Sequence, residues 1–450
     1  MSSSWQHPSV KKLVKLSDTE NPVNAITGKA RSLALNAFNE GWSGPPYDPI
    51  ELAQMLGIDI VPNDAINDAR IIPIENTYRI EYNPFQNSRR INFSLAHEIV
   101  HTLFPDCNER IRNREAKGST EWEVELLCNI GAAELLLPYG KFSFDVNNMP
   151  INLDSIKFLA DKYKVSIESV LIRLCEVTHK TCLFAITSFS KNDQKELVVD
   201  YYQSSKASPI KLGRGTKIPK SSKVYDCLNP GWTAYAKEQW PAFKGQELMV
   251  YGMGLPPLKN STNNRVGILI APSVGEEVNN KLYTVIGDAT HPTGEGTKII
   301  AQVVNTQGGL GAGFGKAMAK QWPASRSNVY KWRQNKKIFR LGKTSLVSLA
   351  GDIFVFQMIA QDGIKKRRGS ISLKYSVLRD CLIELALIAK EHEASVHMPL
   401  IGAGQAGGDW NVIEGIIEEE IIRRGVDVKV YLLHDSHLPK KPSSQFTLFD

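Results

Sequence analysis

The chain has 450 residues, 42% of them hydrophobic and 22% charged, which is more chain than one hydrophobic core usually serves, so two or three domains are expected. No apolar run approaches about 20 residues, and the start, MSSSWQHPSVKKLVK, lacks the apolar core of a secretory signal; both exclude a membrane-spanning class and point to the cytoplasm. The formal charge of +7 rests on basic residues that read as spread along the chain, so an ordinary mildly basic surface is expected and direct nucleic-acid binding is not. The six cysteines, without CxxC spacing, read as reduced and mostly buried rather than as a disulfide framework or thiolate metal site.

Residues 1–24 read as a flexible segment. Residues 25–182 are mainly helical: KARSLALNAFNEG runs to a glycine, Pro49 to Gly57 is a short helix with proline near its start, and IDIVP follows as a strand. Tyr78 to Asn83 alternates like a half-buried strand, and after a polar turn Arg90 to Phe93 reads as another strand, one that could pair with an extended peptide. Helices are expected around EWEVELLCNIGAAELLL, stopping at Pro138, and around SIKFLADKYKVSIESVLIRL. Residues 183–280 read as a β-containing connector or sensor, with LFAITSF and KELVVDYY as strands. Over residues 281–435 apolar strands alternate with helices, which argues for an α/β domain on a largely parallel sheet. Residues 436–450, rich in Pro, Ser and Lys, read as a flexible tail.

The stretch SLAHEIVHTLF places His97 and His101 four apart, on one face of a helix, where both imidazoles can reach one ion. Zn2+ suits such donors and keeps a position for water in catalytic sites, and Glu98 would stand beside that water as its base. A third ligand is needed, and the acidic helix downstream offers Glu121, Glu123, Glu125 and Glu134. Glu125 is favoured because Asn129 lies one turn on, placed to hydrogen-bond a ligand from behind. Tyr78, Tyr82 and Tyr139 are candidates to stabilise an oxyanion.

YDPIELAQMLGIDI, RRINFSLAHEIVHTLF, ELLCNIGAAELLLP and LADKYKVSIESVLIRL together resemble the ImmA/IrrE metallopeptidases over roughly the first third of the chain. That resemblance implies a zincin-like, mainly α (α+β) domain with zinc on His97, His101 and Glu125 and with Glu98 as base. Cys128 and Gly131 stand where that family usually has alanine and phenylalanine.

In the last domain, GDAT ends a strand at Asp288, and VVNTQGGLGAGFGKAM and HMPLIGAGQAGGDW are glycine-rich loops between a strand and a helix. Such loops bring backbone N–H groups toward phosphates. Together they resemble a macro domain, a three-layer α/β module that binds ADP-ribose and related NAD-derived nucleotides. The resemblance implies that Asp288 contacts adenine and Asn305 the distal ribose. It likewise implies that Gly309, Gly311 and Gly313, with Gly402, Ala403, Gly404 and Gln405, meet the rest of the nucleotide. Ala406 stands where hydrolytic relatives carry aspartate, with Asp409, Lys316 and Lys320 out of register, so a binding module is expected. The tail QFTLFD resembles the peptide with which bacterial proteins dock on the replication sliding clamp, through Gln445, Leu448 and Phe449.

The reading that unites these features is a multidomain zinc peptidase acting on a protein target, regulated by an ADP-ribose-like nucleotide, in a stress or anti-phage response. The alternatives are an ADP-ribosyl or ADP-ribose 1″-phosphate hydrolase with a regulatory zinc domain, and a non-enzymatic regulator that recruits partners.

Overall fold

The computed structural model describes residues 5–75, 77–109, 112–113, 120–190, 193, 195–257, 264–272, 282–364 and 371–433, so Gln445, Leu448 and Phe449 lie outside the described residues. The chain divides into two compact units, residues 1–34 with 42–278 and residues 35–41 with 279–450. The helical part and the connector, read from sequence as separate domains, thus cluster as one unit.

The first unit begins with a helix where flexibility was expected. α1 (Pro8–Lys15) starts on proline and buries Val10 and Leu13. The reason lies far along the chain. The backbone N–H groups of Gln6 and His7 donate to the Glu123 carboxylate, and Ser9 Oγ donates to Asp106 at 2.6 Å. No local pattern records such contacts.

α2 (Pro22–Asn39) and α3 (Pro49–Met55) follow, the latter capped by Asp48, whose Oδ1 accepts from Ile50 N. Next come β1 (Asp59–Pro62), β2 (Ala69–Ile74), β3 (Thr77–Tyr82), α4 (Ser88–His101) and β4 (Arg112–Asn113). The strands form a sheet in the order β1-β3-β2-β4, with only β1 and β3 parallel, and α4 lies across β2 and β3.

Residues 90–93, expected as a strand, are the first turns of α4. Asn87 Oδ1 accepts from Arg89 N and sets the helix start, and the apolar positions Leu95, Ala96, Ile99 and Val100 then carry the helical period. Four alternating residues were too short a sample to reveal this. The edge pairing of residues 90–93 with a peptide falls with the strand.

α5 (Glu121–Leu136), α6 (Tyr139–Asn147), α7 (Leu153–Tyr163) and α8 (Ile167–Val177) complete the helical part. The run expected as one helix over residues 155–174 is two. Lys164, left-handed at φ 53°, ends α7, and Ser166 caps α8 by accepting from Ser169 N. The amphipathic period passes through both and hides the break.

The connector region folds as an antiparallel sheet of β5 (Leu183–Phe189), β6 (Leu197–Ser204), β7 (Thr233–Glu238), β8 (Leu248–Leu255) and β9 (Arg265–Pro272), in the order β6-β5-β9-β8-β7. Alternate residues such as Ala185, Val250 and Ile268 make its core.

The second unit contains β10 (Leu282–Ile286), β11 (Lys298–Asn305), α9 (Gly313–Gln321), α10 (Pro323–Gln334), β12 (Thr344–Ala350), β13 (Ile353–Gln361), α11 (Tyr375–Glu391), β14 (Ser395–Met398), α12 (Trp410–Glu420) and β15 (Val428–Leu432). Its sheet runs β10-β15-β14-β11-β13-β12 and is parallel except for β12, as the strand and helix alternation predicts. Neighbouring residues of a strand serve opposite faces. Ile299 and Ala301 pack with α11 and α12, whereas Ile300 and Val304 pack with α9 and α10.

Candidate metal centre and glycine-loop pocket

α4 carries His97, Glu98 and His101 into the interior, all at or below 1% exposure. α5 runs against α4, and Gly131 permits the close approach, since a Cβ there would sit 2.6 Å from Val100 Cγ1. This gives a physical reason for glycine at 131.

The helix pair brings the expected donors together. His97 Nε2 lies 3.2 Å from Glu125 Oε2, and His101 Nε2 lies 3.6 Å from Glu125 Oε1. Two ligand atoms on a tetrahedral zinc, each about 2.0–2.1 Å from the ion, are roughly 3.3 Å apart. Two imidazoles and one carboxylate at these spacings therefore fit such an ion. Glu98 Oε2 stands 4.0 Å from His101 Nε2.

The rings are also held from behind. His97 Nδ1 donates to Asn129 Oδ1 at 2.9 Å, so its Nε2 lone pair faces Glu125. Cys128 Sγ lies 3.3 Å from His101 Nδ1, the other ring nitrogen of that histidine. The sequence placed Asn129 behind the ligands but assigned Cys128 no role at the site; its place three residues after Glu125, on the same side of α5, was the available signal. Cys128 Sγ groups within 4.8 Å of donor atoms of both histidines as well. Because it meets His101 through Nδ1 while Nε2 turns to Glu125, Cys128 belongs behind the ring.

The other acidic candidates are committed elsewhere. Glu121 lies 3.5 Å from His7 Nε2, and Glu123 accepts from the backbone ahead of α1. Glu134 is buried between Arg31 and Arg173, at 2.8 and 2.6 Å. Burial alone would raise the Glu134 pKa, but Arg173 and Arg31 outweigh it and hold the carboxyl below its ordinary 4.5. Among the tyrosines, Tyr78 donates to Asn108, Tyr139 lies under the Arg31 guanidinium, and Tyr82 is a strand residue opposite Ala69.

In the second unit the glycine loops follow β11 and β14. Asp288, just after β10, is 48% exposed, and its Oδ1 accepts from Thr290 N. Asn305 is largely occupied within its own loop. Its Oδ1 accepts from Gln307 N and Gly309 N, and its Nδ2 donates to Gly309 O. Its clearest role here is to shape the loop.

α9 starts at Gly313 behind Ala312, which has no side-chain acceptor, so its first N–H groups lack a side-chain cap. Gly402 and Gly313 have φ of +73° and +53°, which favours glycine for backbone reasons. Gly311 and Gly404 differ, having neither positive φ nor any atom within 4 Å of a Cβ. The fold itself does not demand glycine there, while open space in front of the chain is what a ligand would need. Ala403 and Gln405 flank Gly404, and Ala406 is buried, its carbonyl accepting from Ser372 and Leu373. Asp409 caps α12, accepting from Asn411 N, and Lys316 and Lys320 are exposed on α9.

Residues 53–175 match the Peptidase_M78 family, described as an IrrE N-terminal-like domain. The radiation response metalloprotease IrrE of Deinococcus deserti is 29% identical over 140 residues, which cover 29% of this chain and 50% of that protein. Mouse chromodomain-helicase-DNA-binding protein 1-like is 29% identical over 164 residues, 33% of this chain and 17% of that one. The chain thus spans half the Deinococcus protein and a small part of the mouse one. The solved structure of a macrodomain protein from Streptomyces coelicolor is 37% identical, covers 34% of this chain and 98% of that chain, and has a TM-score of 0.31. Among the described residues no helix is long and apolar enough to cross a membrane. The chain thus matches the IrrE-like Peptidase_M78 model over residues 53–175, toward its N-terminus, and its C-terminal part is similar in sequence to solved macrodomain proteins.

Proposed function

We propose that this chain is a zinc-dependent peptidase that cleaves a protein target, and that an ADP-ribose-like nucleotide held by the glycine loops regulates it as part of a stress response. The observation that carries the first half is the convergence of two buried imidazole Nε2 atoms on one carboxylate, each ring held through Nδ1 by a neighbour on α5. His97, His101 and Glu125 would hold the ion. Zinc in such a setting supplies Lewis acidity toward a water and a scissile carbonyl. Glu98, buried beside His101, would take the proton of the attacking water and return it to the leaving amine.

The second half is supported by the open space at Gly311 and Gly404 and by the side-chain-free start of α9. A regulatory ligand must bind one state of the protein better than another. A binding role is favoured over hydrolysis because Ala406 is apolar and Asp409 is engaged as a helix cap.

The test compares cells that carry wild type or Glu98→Ala, mapping new protein termini with and without stress, together with the zinc content of the purified proteins. Termini that depend on Glu98, with zinc equal in both, support the proposal. If no terminus depends on Glu98 even with ADP-ribose supplied, the peptidase reading fails; calorimetry showing no ADP-ribose binding removes the regulatory half alone.

A further inference from the structure

The expectation that basic residues are dispersed does not hold. Between Glu295 and Asp352 lie ten of the chain's 54 Lys and Arg residues and none of its 47 acidic ones, so the remainder of the chain is slightly acidic. Lys298 is buried and pairs with Asp352 at 3.1 Å. The other nine are exposed, and none has an acidic partner among the described residues.

The fold gathers them on one side of the second unit. α9 and α10 pack on the same face of the sheet, spending their apolar positions there: Met318 against Ile300 and Val355, Val329 against Val304 and Ile359. Their charged positions therefore stand outward. Lys316 and Lys320 are on α9, Arg326, Lys331 and Arg333 are on α10, and four more follow in residues 335–343. Arg326, Tyr330 and Arg333 are spaced i, i+4, i+7 and so form one outer stripe. That stripe reaches the glycine loop, since the Arg333 Cδ lies 3.0 Å from where a Cβ on Gly308 would sit.

Ordinary surfaces intersperse both signs of charge, and nine like charges with no acidic partner among the described residues repel one another. We propose that the outer face of α9, α10 and the turn after them binds the phosphodiester backbone of a nucleic acid. Arg326 and Arg333 are about 10 Å apart along the helix at ~1.5 Å per residue, roughly three phosphate-to-phosphate steps at ~3.4 Å along one strand. Tyr330 is 44% exposed beneath the Arg326 guanidinium, 5.2 Å from its ring centroid, and offers a surface on which a base can stack. A lipid surface fits less well, because the apolar side of α10 is already used against the sheet.

The experiment measures fluorescence anisotropy of the full chain with a labelled 20-nucleotide single strand and with the corresponding duplex, across a salt series. Binding is expected to weaken linearly in log–log form, with a slope of about −0.7 per phosphate contact for a single strand or −0.9 for a duplex. The affinities for the two oligonucleotides at one salt concentration distinguish the forms.

Lys331→Glu, Lys336→Glu and Lys337→Glu together should weaken binding at least tenfold and flatten the slope by about 2–3. The same change of charge at Lys195, Lys220 and Lys237 in the first unit should leave affinity within twofold. Retained melting temperature and ADP-ribose binding show that the variant is folded; if it is not, Lys331→Gln with Lys343→Gln serves in its place. Absence of binding to either oligonucleotide at low salt overturns the proposal. So does unchanged affinity in the Lys331, Lys336 and Lys337 variant, or equal weakening by the two sets of reversals, which would reduce the effect to net charge.

Discussion

At the His97, His101 and Glu125 cluster the groups that would meet a ligand are side chains, clamped between two helices with a further residue behind each ring. At the glycine loops they are backbone groups, and the side chains that matter most are those that are missing. The difference teaches where each site is vulnerable. A side-chain site fails when a donor or its support is removed, and a backbone site fails when a Cβ is added.

The largest expected effect tests the first half of that contrast. Glu98→Gln should lower Glu98-dependent cleavage by on the order of 10²–10⁴-fold while zinc content stays at the wild-type level. His97→Ala should lose the zinc itself, read by elemental mass spectrometry; retained zinc in a combined His97, His101 and Glu125 variant would break the ligand assignment. One step further out, Asn129→Ala leaves every donor in place but frees the His97 ring. It should weaken zinc affinity by about 10–100-fold in a chelator competition. Cys128→Ala should act in the same direction through His101.

On the other side, two alanine substitutions two residues apart should have opposite signatures. Gly402→Ala would place a Cβ 2.7 Å from Leu373 Cδ2 at φ +73°, and should destabilise the second unit by about 1–3 kcal/mol. Gly404→Ala meets nothing within 4 Å, so its melting temperature should match wild type while ADP-ribose affinity falls in calorimetry. Wild-type affinity in Gly404→Ala would mean that the space before Gly404 is not ligand space.

The same contrast explains what could be read in advance. His97, Glu98 and His101 are legible because helical spacing fixes their relative placement within four residues. Glu125 followed from Asn129 one turn on, again a local relation. The strands of the second unit are legible because each is a short apolar run bounded by turns.

What was missed depends on residues far apart in the chain. α1 is held by Glu123 and Asp106, about a hundred residues away. The helical state of residues 90–93 depends on an Asn87 cap and an apolar face that becomes complete only further along. The break at Lys164 leaves the amphipathic period intact on either side. The loop hydrogen bonds of Asn305, a residue that the macro-domain resemblance gives to the distal ribose, were likewise not legible in the sequence.

The smallest effect separates the units by acid. Glu134, in the first unit, has a folded pKa below 4.5. Its contribution is therefore complete above about pH 4.5 and is lost as pH falls through the folded value. His397, in the second unit, is fully buried, with Nδ1 2.9 Å from the Tyr431 hydroxyl and Nε2 2.8 Å from Ser395 Oγ. Burial, with Lys429 and Lys298 nearby, lowers its pKa from 6.5 to about 4. A folded value below the unfolded one means that the unfolded chain binds the proton first, so stability is complete above pH 6.5 and declines as pH falls toward 4. The loss should reach about 1–3 kcal/mol, from roughly 1.4 kcal/mol per pKa unit. Between pH 7.5 and 5 the Glu134 contribution stays complete while that of His397 falls; Glu414, pushed up to about 7 by burial and by Glu418, works in the opposite sense in the second unit, so the His397 part is read in calorimetry as the difference between wild type and His397→Gln. His397→Gln, which keeps a hydrogen-bonding side chain without the titration, should lose less stability on acidification than wild type; an equal pH dependence would assign it to other groups.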